Sequence, residues 1–285
     1  MYDNIDVIVE IERRIIARFI SRLAFAKDYK MKEFTKNYEI HYYEVDSKLR
    51  CKLSSIIDFI CDVGTQQSES VGGGIEYCTK NNCAWVFYKY DIKMSRYPSF
   101  GETISITTRP VGFKKFYGLR EYIIKDSEDN IIGNALALFF LINIEKRRPT
   151  RIQKEQYEFY GVDGDIDYDV SMEKLERVDQ EDYCVDFKIR YSDIDSNNHV
   201  NNVKYIEWAI EAVPVEVVKD YTIKRIKVTF EKESKYGETI SSSASIKKID
   251  DNVIKSYHTI RKNDGTELTL LEAEWQKESN NKIVS

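Results

Sequence analysis

The chain has 285 residues, 42% hydrophobic and 32% charged, a balance that excludes a disordered polymer and leaves room for two globular domains of ordinary size. A net charge of −5 argues against a nucleic-acid binder, and no apolar run is long enough for a transmembrane helix. The five cysteines (Cys51, Cys61, Cys78, Cys83, Cys184) have no paired spacing and follow no secretory signal, so they read as reduced thiols of a cytoplasmic protein, with no metal site and no cofactor expected.

In chain order, residues 5–27 carry one amphipathic stripe (Ile8, Ile11, Ile15, Phe19, Leu23), too often broken by arginine for a signal peptide. A helical extension over 1–32, docked on the body, is favoured over a membrane-surface helix or a segment upstream of a start at Met31. Alternation predicts a strand over 38–45, and apolar spacing a helix over 53–63. Gly72-Gly73-Gly74 lacks a following Gly-Lys-Ser/Thr and reads as a connection, not a phosphate loop. Strands are predicted over 85–94, 104–108, 116–125 and 131–144, then a join near 161–172. A helix over 200–213, stopped by Pro214, precedes strands near 221–232, 238–248, 253–262 and 267–276. One helix against a long antiparallel sheet is an α+β arrangement.

The strand–helix–strands unit occurs twice. Tyr38–Ser47 lays over Phe187–Ser196, both ending in Asp-Ser, and at the same offset Ile57 falls on Ile206 and Phe59 on Trp208. The run Gly-Glu-Thr-Ile-Ser stands at both 101–105 and 237–241. Two matched blocks in the same order point to duplication rather than coincidence.

Only three histidines are available for proton transfer. His41 and His258 lie in predicted strands with ordinary neighbours and read as structural. His199 sits in Asp193-Ile194-Asp195-Ser196-Asn197-Asn198-His199, a polar bend feeding an apolar helix. The first copy has Asp46 opposite Asp195, but Lys48 opposite Asn197 and Arg50 opposite His199. Helix capping accounts for one or two of these residues and a scaffold role should survive in both copies, so the amide and imidazole of the second copy mark it as the reactive one.

Residues 193–208, Asp-Ile-Asp-Ser-Asn-Asn-His-Val-Asn-Asn-Val-Lys-Tyr-Ile-Glu-Trp, resemble the signature of the acyl-ACP thioesterases of plants and bacteria. Trp85-Val86 with Ser95–Glu102, and the double-arginine segment 140–151, extend the likeness over roughly 34–275. The resemblance implies a tandem (double) hot-dog fold, each unit a sheet wrapped round a long helix. The boundaries expected are 1–32 (extension), 33–160 (first hot-dog, with the acyl pocket), 161–180 (linker) and 181–285 (second hot-dog, catalytic). It also implies a catalytic set of Asp195, Asn197, His199 and Glu233. Plant members usually follow that Glu with a Cys; here Ser234 stands there, so hydrolysis by an activated water is the simpler expectation.

On this reading Glu233 and His199 deprotonate a water and Asp195 holds the bend. Asn197, helped by backbone N–H groups at the helix start, faces the carbonyl or the water. Phe59, Ile60, Trp85, Phe87, Leu138 and Phe140 are candidates for the acyl pocket, with core packing the plainer reading of each. Lys114, Lys115, Arg147, Arg148 and Arg151 are candidates for docking the acidic acyl carrier protein and its 4′-phosphopantetheine-linked substrate, and Lys224, Arg225 and Lys227 form another basic cluster. Homodimerisation is left open. The rival readings are an acyl-CoA thioesterase and a non-catalytic acyl-binding hot-dog module; a serine hydrolase is disfavoured because no Gly-x-Ser-x-Gly elbow is present.

Overall fold

The computed structural model describes residues 32–162, 175, 177 and 180–278. The amphipathic stretch 5–27 and most of the join at 161–172 therefore lie outside the described residues. The first half runs β1 (Phe34–Glu39), a 3-10 turn (Tyr42–Glu44), α1 (Leu53–Ser70), α2 (Ile75–Lys80), β2 (Cys83–Met94), β3 (Thr103–Lys114), β4 (Tyr117–Lys125), β5 (Ile131–Asn143), the short β6 (Arg148–Pro149) and α3 (Lys154–Phe159). The second repeats the plan: β7 (Tyr183–Lys188), a 3-10 turn (Tyr191–Asp193), α4 (Asn202–Glu211), α5 (Val215–Asp220), β8 (Tyr221–Phe230), β9 (Thr239–Lys248), β10 (Val253–Lys262) and β11 (Glu267–Lys277).

All strands join one sheet in the order β1-β3-β4-β5-β2-β8-β11-β10-β9-β7, with β6 beside β5, so the second half mirrors the first across an antiparallel β2–β8 seam. At that seam Ile92 stands opposite Ile226 on the buried face. On the other face Arg225 grips Asp91 through two hydrogen bonds of 2.8 and 2.6 Å. Both long helices lie on the buried face. Ile56 and Ile60 of α1, Val203 and Ile206 of α4, and the seam isoleucines share one continuous core. This is the duplicated α+β arrangement read from the sequence, with the tandem hot-dog plan that the resemblance implied.

The repeated Gly-Glu-Thr-Ile-Ser has a structural cause. Gly101 and Gly237 sit at φ +78° and +82°, where a side chain is strained. Their N–H groups bond the carbonyls of Ile40 (2.9 Å) and Ile189 (3.2 Å), while Ile40 and Ile189 donate back to Glu102 and Glu238, both at 2.9 Å. Each run thus clamps the chain leaving its first strand.

Three expectations shift. The strand predicted over 38–45 ends at Glu39 and gives way to the 3-10 turn, where Tyr42 and Tyr43 are 73% and 72% exposed. Alternation of aromatic residues signals a strand only when one face is buried. Helix α1 runs on to Ser70, past the last apolar position, because Gln67 is buried and its amide donates to the Lys32 carbonyl. Helices α2, α3 and α5, at 6 residues each, are too short to show a period.

Candidate active site

The polar bend is one scaffold used twice. Asp195 Oδ1 accepts from the N–H of Asn197 (2.8 Å) and of His199 (3.2 Å), and its own N–H donates to the His199 carbonyl at 2.8 Å. Asp46 Oδ1 does the same for Lys48 (2.8 Å) and Arg50 (3.0 Å), with its N–H on the Arg50 carbonyl at 2.7 Å. Asn198 and Leu49 take matching left-handed conformations, φ +61° and +57°. Each bend is then docked on the segment following the seam strand: Val200 N–H donates to Ser234 O (3.1 Å), and Cys51 N–H to Pro98 O (2.8 Å).

That docking brings His199 to Glu233, which lies in the loop beyond β8. His199 Nε2 is 3.2 Å from Glu233 Oε2. The same oxygen accepts from Arg147 Nη2 at 2.7 Å, a contact from the other half of the chain that sequence reasoning did not anticipate. Asn197 Nδ2 makes only a long 3.4 Å contact with Asp195 Oδ2, so its donor capacity is largely uncommitted. The N–H groups of Val200, Asn201, Val203 and Lys204 are already hydrogen-bonded within the protein, which removes most of the backbone donors expected at the helix start. Ser234 is fully buried: its hydroxyl lies 2.6 Å from Tyr205 Oη, which also accepts the Ser234 N–H at 3.1 Å. Burial pushes the Tyr205 phenol up to about 12 against the pull of those bonds, so the pair stays neutral and structural.

The same positions in the first copy are closed by ion pairs. Arg50 Nη1 and Lys48 Nζ reach the Glu278 carboxylate at 2.6 and 2.9 Å, with the Thr222 hydroxyl at 2.5 Å. Burial alone would raise Glu278, but hydrogen bonds from Thr222, Lys48 and Arg50 hold it at about 2. Of the remaining histidines, His41 is a half-exposed partner of Glu44 (3.2 Å), and His258 is buried in β10 with Nε2 on Ser256 Oγ at 2.8 Å.

A cavity of about 400 Å³ in the first half reaches Ser196 and Asn197 of the second. Trp85 and Phe87 line it; Phe59, Ile60, Leu138 and Phe140 do not. Phe59 stacks on Tyr38 at 4.5 Å, Ile60 is fully buried core, and Phe140 packs edge-on against Tyr88 at 5.1 Å. Leu138 lies mid-sheet between Lys89 and Leu119. Phe139, one residue away and on the opposite face of β5, is the wall instead, together with Phe113 and Tyr122, which the sequence did not single out. Among the basic candidates, the loops carrying Lys114–Lys115 and Arg148–Arg151 are tied by a 2.8 Å bond from Ile152 N–H to Lys115 O, and Arg147 turns onto Glu233. Lys224 and Arg225 are engaged instead with the Ser95 carbonyl and Asp91.

Among the described residues no cluster of metal-ligating side chains is found, and no helix is long and apolar enough to cross a membrane. Two family models match the chain: the acyl-ACP thioesterase N-terminal domain over residues 31–160, and the C-terminal domain over 176–277. A palmitoyl-acyl carrier protein thioesterase, chloroplastic, from Gossypium hirsutum is 23% identical over 262 residues, covering 85% of this chain and 63% of that protein. The chain thus spans less than two thirds of the length of the curated relatives it matches first, at 63%, 62% and 64%. Among solved structures, one described as an oleoyl thioesterase from Lactobacillus plantarum superposes with a TM-score of 0.80 at 24% identity, covering 88% of this chain and 98% of its own. The 12:0-ACP thioesterase from Umbellularia californica gives 0.78 at 21% identity, with 86% and 94% coverage. These likenesses establish the shared fold.

Proposed function

The chain belongs to the acyl-ACP thioesterase family, and from that membership we propose that it hydrolyses fatty acyl-acyl carrier protein, releasing free fatty acid and the carrier and so ending fatty acid synthesis. The observation that carries the reading is the 3.2 Å contact between His199 and Glu233, beside an amide that opens on an acyl-sized cavity. Glu233 and His199 take the proton of a water whose oxygen bonds to the thioester carbon. Asn197 Nδ2 donates to the oxyanion, and collapse of the tetrahedral adduct breaks the C–S bond. The departing thiolate is a good leaving group and takes up the proton. Asp195 holds the bend and does not touch substrate, since Asp46 does the same in the silent copy.

The first hot-dog domain, 33–160, holds the acyl chain and the second, 181–285, the chemistry. Lys114, Lys115, Arg147, Arg148 and Arg151 receive the acidic carrier, so turnover falls as salt screens them. Reduced, unpaired cysteines favour a cytoplasmic location. Whether two copies pair is read by light scattering.

His199→Ala and Glu233→Ala are each expected to lower kcat by roughly 10²- to 10⁴-fold, measured as free fatty acid released from acyl-ACP, with a melting temperature close to that of the parent. Undiminished turnover in either variant overturns the assignment.

A further inference from the structure

The cavity is not lined as a purely hydrocarbon slot should be. Tyr122, on β4, is completely buried and lines the cavity, and its hydroxyl makes no well-formed hydrogen bond among the described residues, with only a marginal contact to the Thr108 hydroxyl. Two positions earlier, on the same face of the strand, Arg120 also lines it. The guanidinium has five donors, and among the described residues only Nη1 is used, toward Gln67 Oε1 and, at 3.3 Å, Thr108 Oγ1. No carboxylate among the described residues pairs with it; its other neighbour is the Tyr160 ring, 5.4 Å away. Gly64 of α1 faces both groups: a Cβ there would stand 3.0 Å from Tyr122 Oη and 3.9 Å from Arg120 Cδ. The missing side chain lets the phenol pack close against the helix backbone, with the aliphatic stem of Arg120 beside it, and both residues line the cavity there.

A bare methylene chain laid into this end would leave the Tyr122 hydroxyl with at most its marginal Thr108 contact and strip water from the guanidinium, both unfavourable. A site built around donors discriminates against a ligand lacking the matching acceptor. We propose that the cavity selects an acyl group bearing an oxygen acceptor remote from the thioester, a hydroxyl, keto or carboxyl oxygen, held where Tyr122 and Arg120 line the cavity beside Gly64. The inference rests on the reading of this cavity as the acyl site and adds the substrate class.

The test compares acyl-ACPs of equal length with the oxygen moved stepwise along the chain, in neutral (hydroxy, keto) and anionic (terminal carboxyl) series, against the unsubstituted chain. With the full-length protein, at least one oxygenated position should exceed the unsubstituted chain in kcat/KM by about tenfold, the worth of one well-placed hydrogen bond. Tyr122→Phe should bring that ratio to within about twofold of one. Gly64→Ala, which sets a methyl against the phenol without removing it, should do the same. A separate measurement, calorimetric binding of the free acids, needs no turnover: the oxygenated acid should bind about tenfold tighter to the parent, and not to either variant. If no acyl-ACP is hydrolysed but the calorimetric preference holds, the thioesterase reading fails and the acceptor site stands. A ratio of one or less in the parent overturns the proposal. So does a ratio untouched by Tyr122→Phe.

Discussion

Asp46 and Asp195 perform the same task at equivalent places, each holding two backbone N–H groups of a bend, whereas the side chains those bends present are unrelated. Which residues are candidates for the chemistry was therefore legible from the repeat: Asn197 and His199 differ from Lys48 and Arg50 where the scaffold does not require it. The Arg147 contact was not legible, because it joins residues 86 apart through a loop conformation that no local pattern encodes. His258 makes a different residue-scale prediction. Burial alone lowers its imidazole to about 4, so the folded protein keeps it neutral while the unfolded chain takes up a proton near pH 6.5. Between those values the unfolded state binds more protons, and stability falls as pH falls, by on the order of 3 kcal/mol across the window. Urea titrations from pH 7 to 4 should show His258→Gln lacking this component, while carboxylate titrations common to both proteins cancel; parallel curves for the two proteins would refute it.

At the scale of elements, apolar periodicity located α1 and α4 and most of the sheet, since each buries one face. It misjudged stretches where polar or aromatic residues obey another rule. The end of α1 is fixed by Gln67, and on β5 it is Phe139, paired with Phe87 of β2, rather than Phe140 that faces the cavity. Four of the six proposed pocket residues failed to reach the cavity for this kind of reason: apolar character marks burial, not which buried surface a side chain faces. The seam between β2 and β8 is the element contact on which the paired halves depend. Ile226→Ala, at the centre of a core shared by both helices, should cost about 2–4 kcal/mol, read from chemical denaturation. A loss under half a kilocalorie would mean that the seam is loosely packed.

For the molecule as a whole, one sheet and its larger core run through both halves, with a smaller cluster around Phe113 and Leu141 confined to the first. Residues 181–285 expressed alone would leave the β8 edge unpaired and the inner face of α4 without α1. Such a fragment should aggregate or melt without a cooperative transition, whereas a monomeric, cooperatively folded fragment by gel filtration and circular dichroism would show that the seam is dispensable. The linear order of residues determined the duplication, the α+β class and the asymmetry between the bends, because these depend on local periodicity and on comparing one half with the other. Only the tertiary structure decided that Arg147 meets Glu233, that the cavity of one half reaches the bend of the other, and that Tyr122 and Arg120 line that cavity together. Those are contacts between side chains far apart in the chain, set by strand register and loop geometry rather than by any residue's own preference.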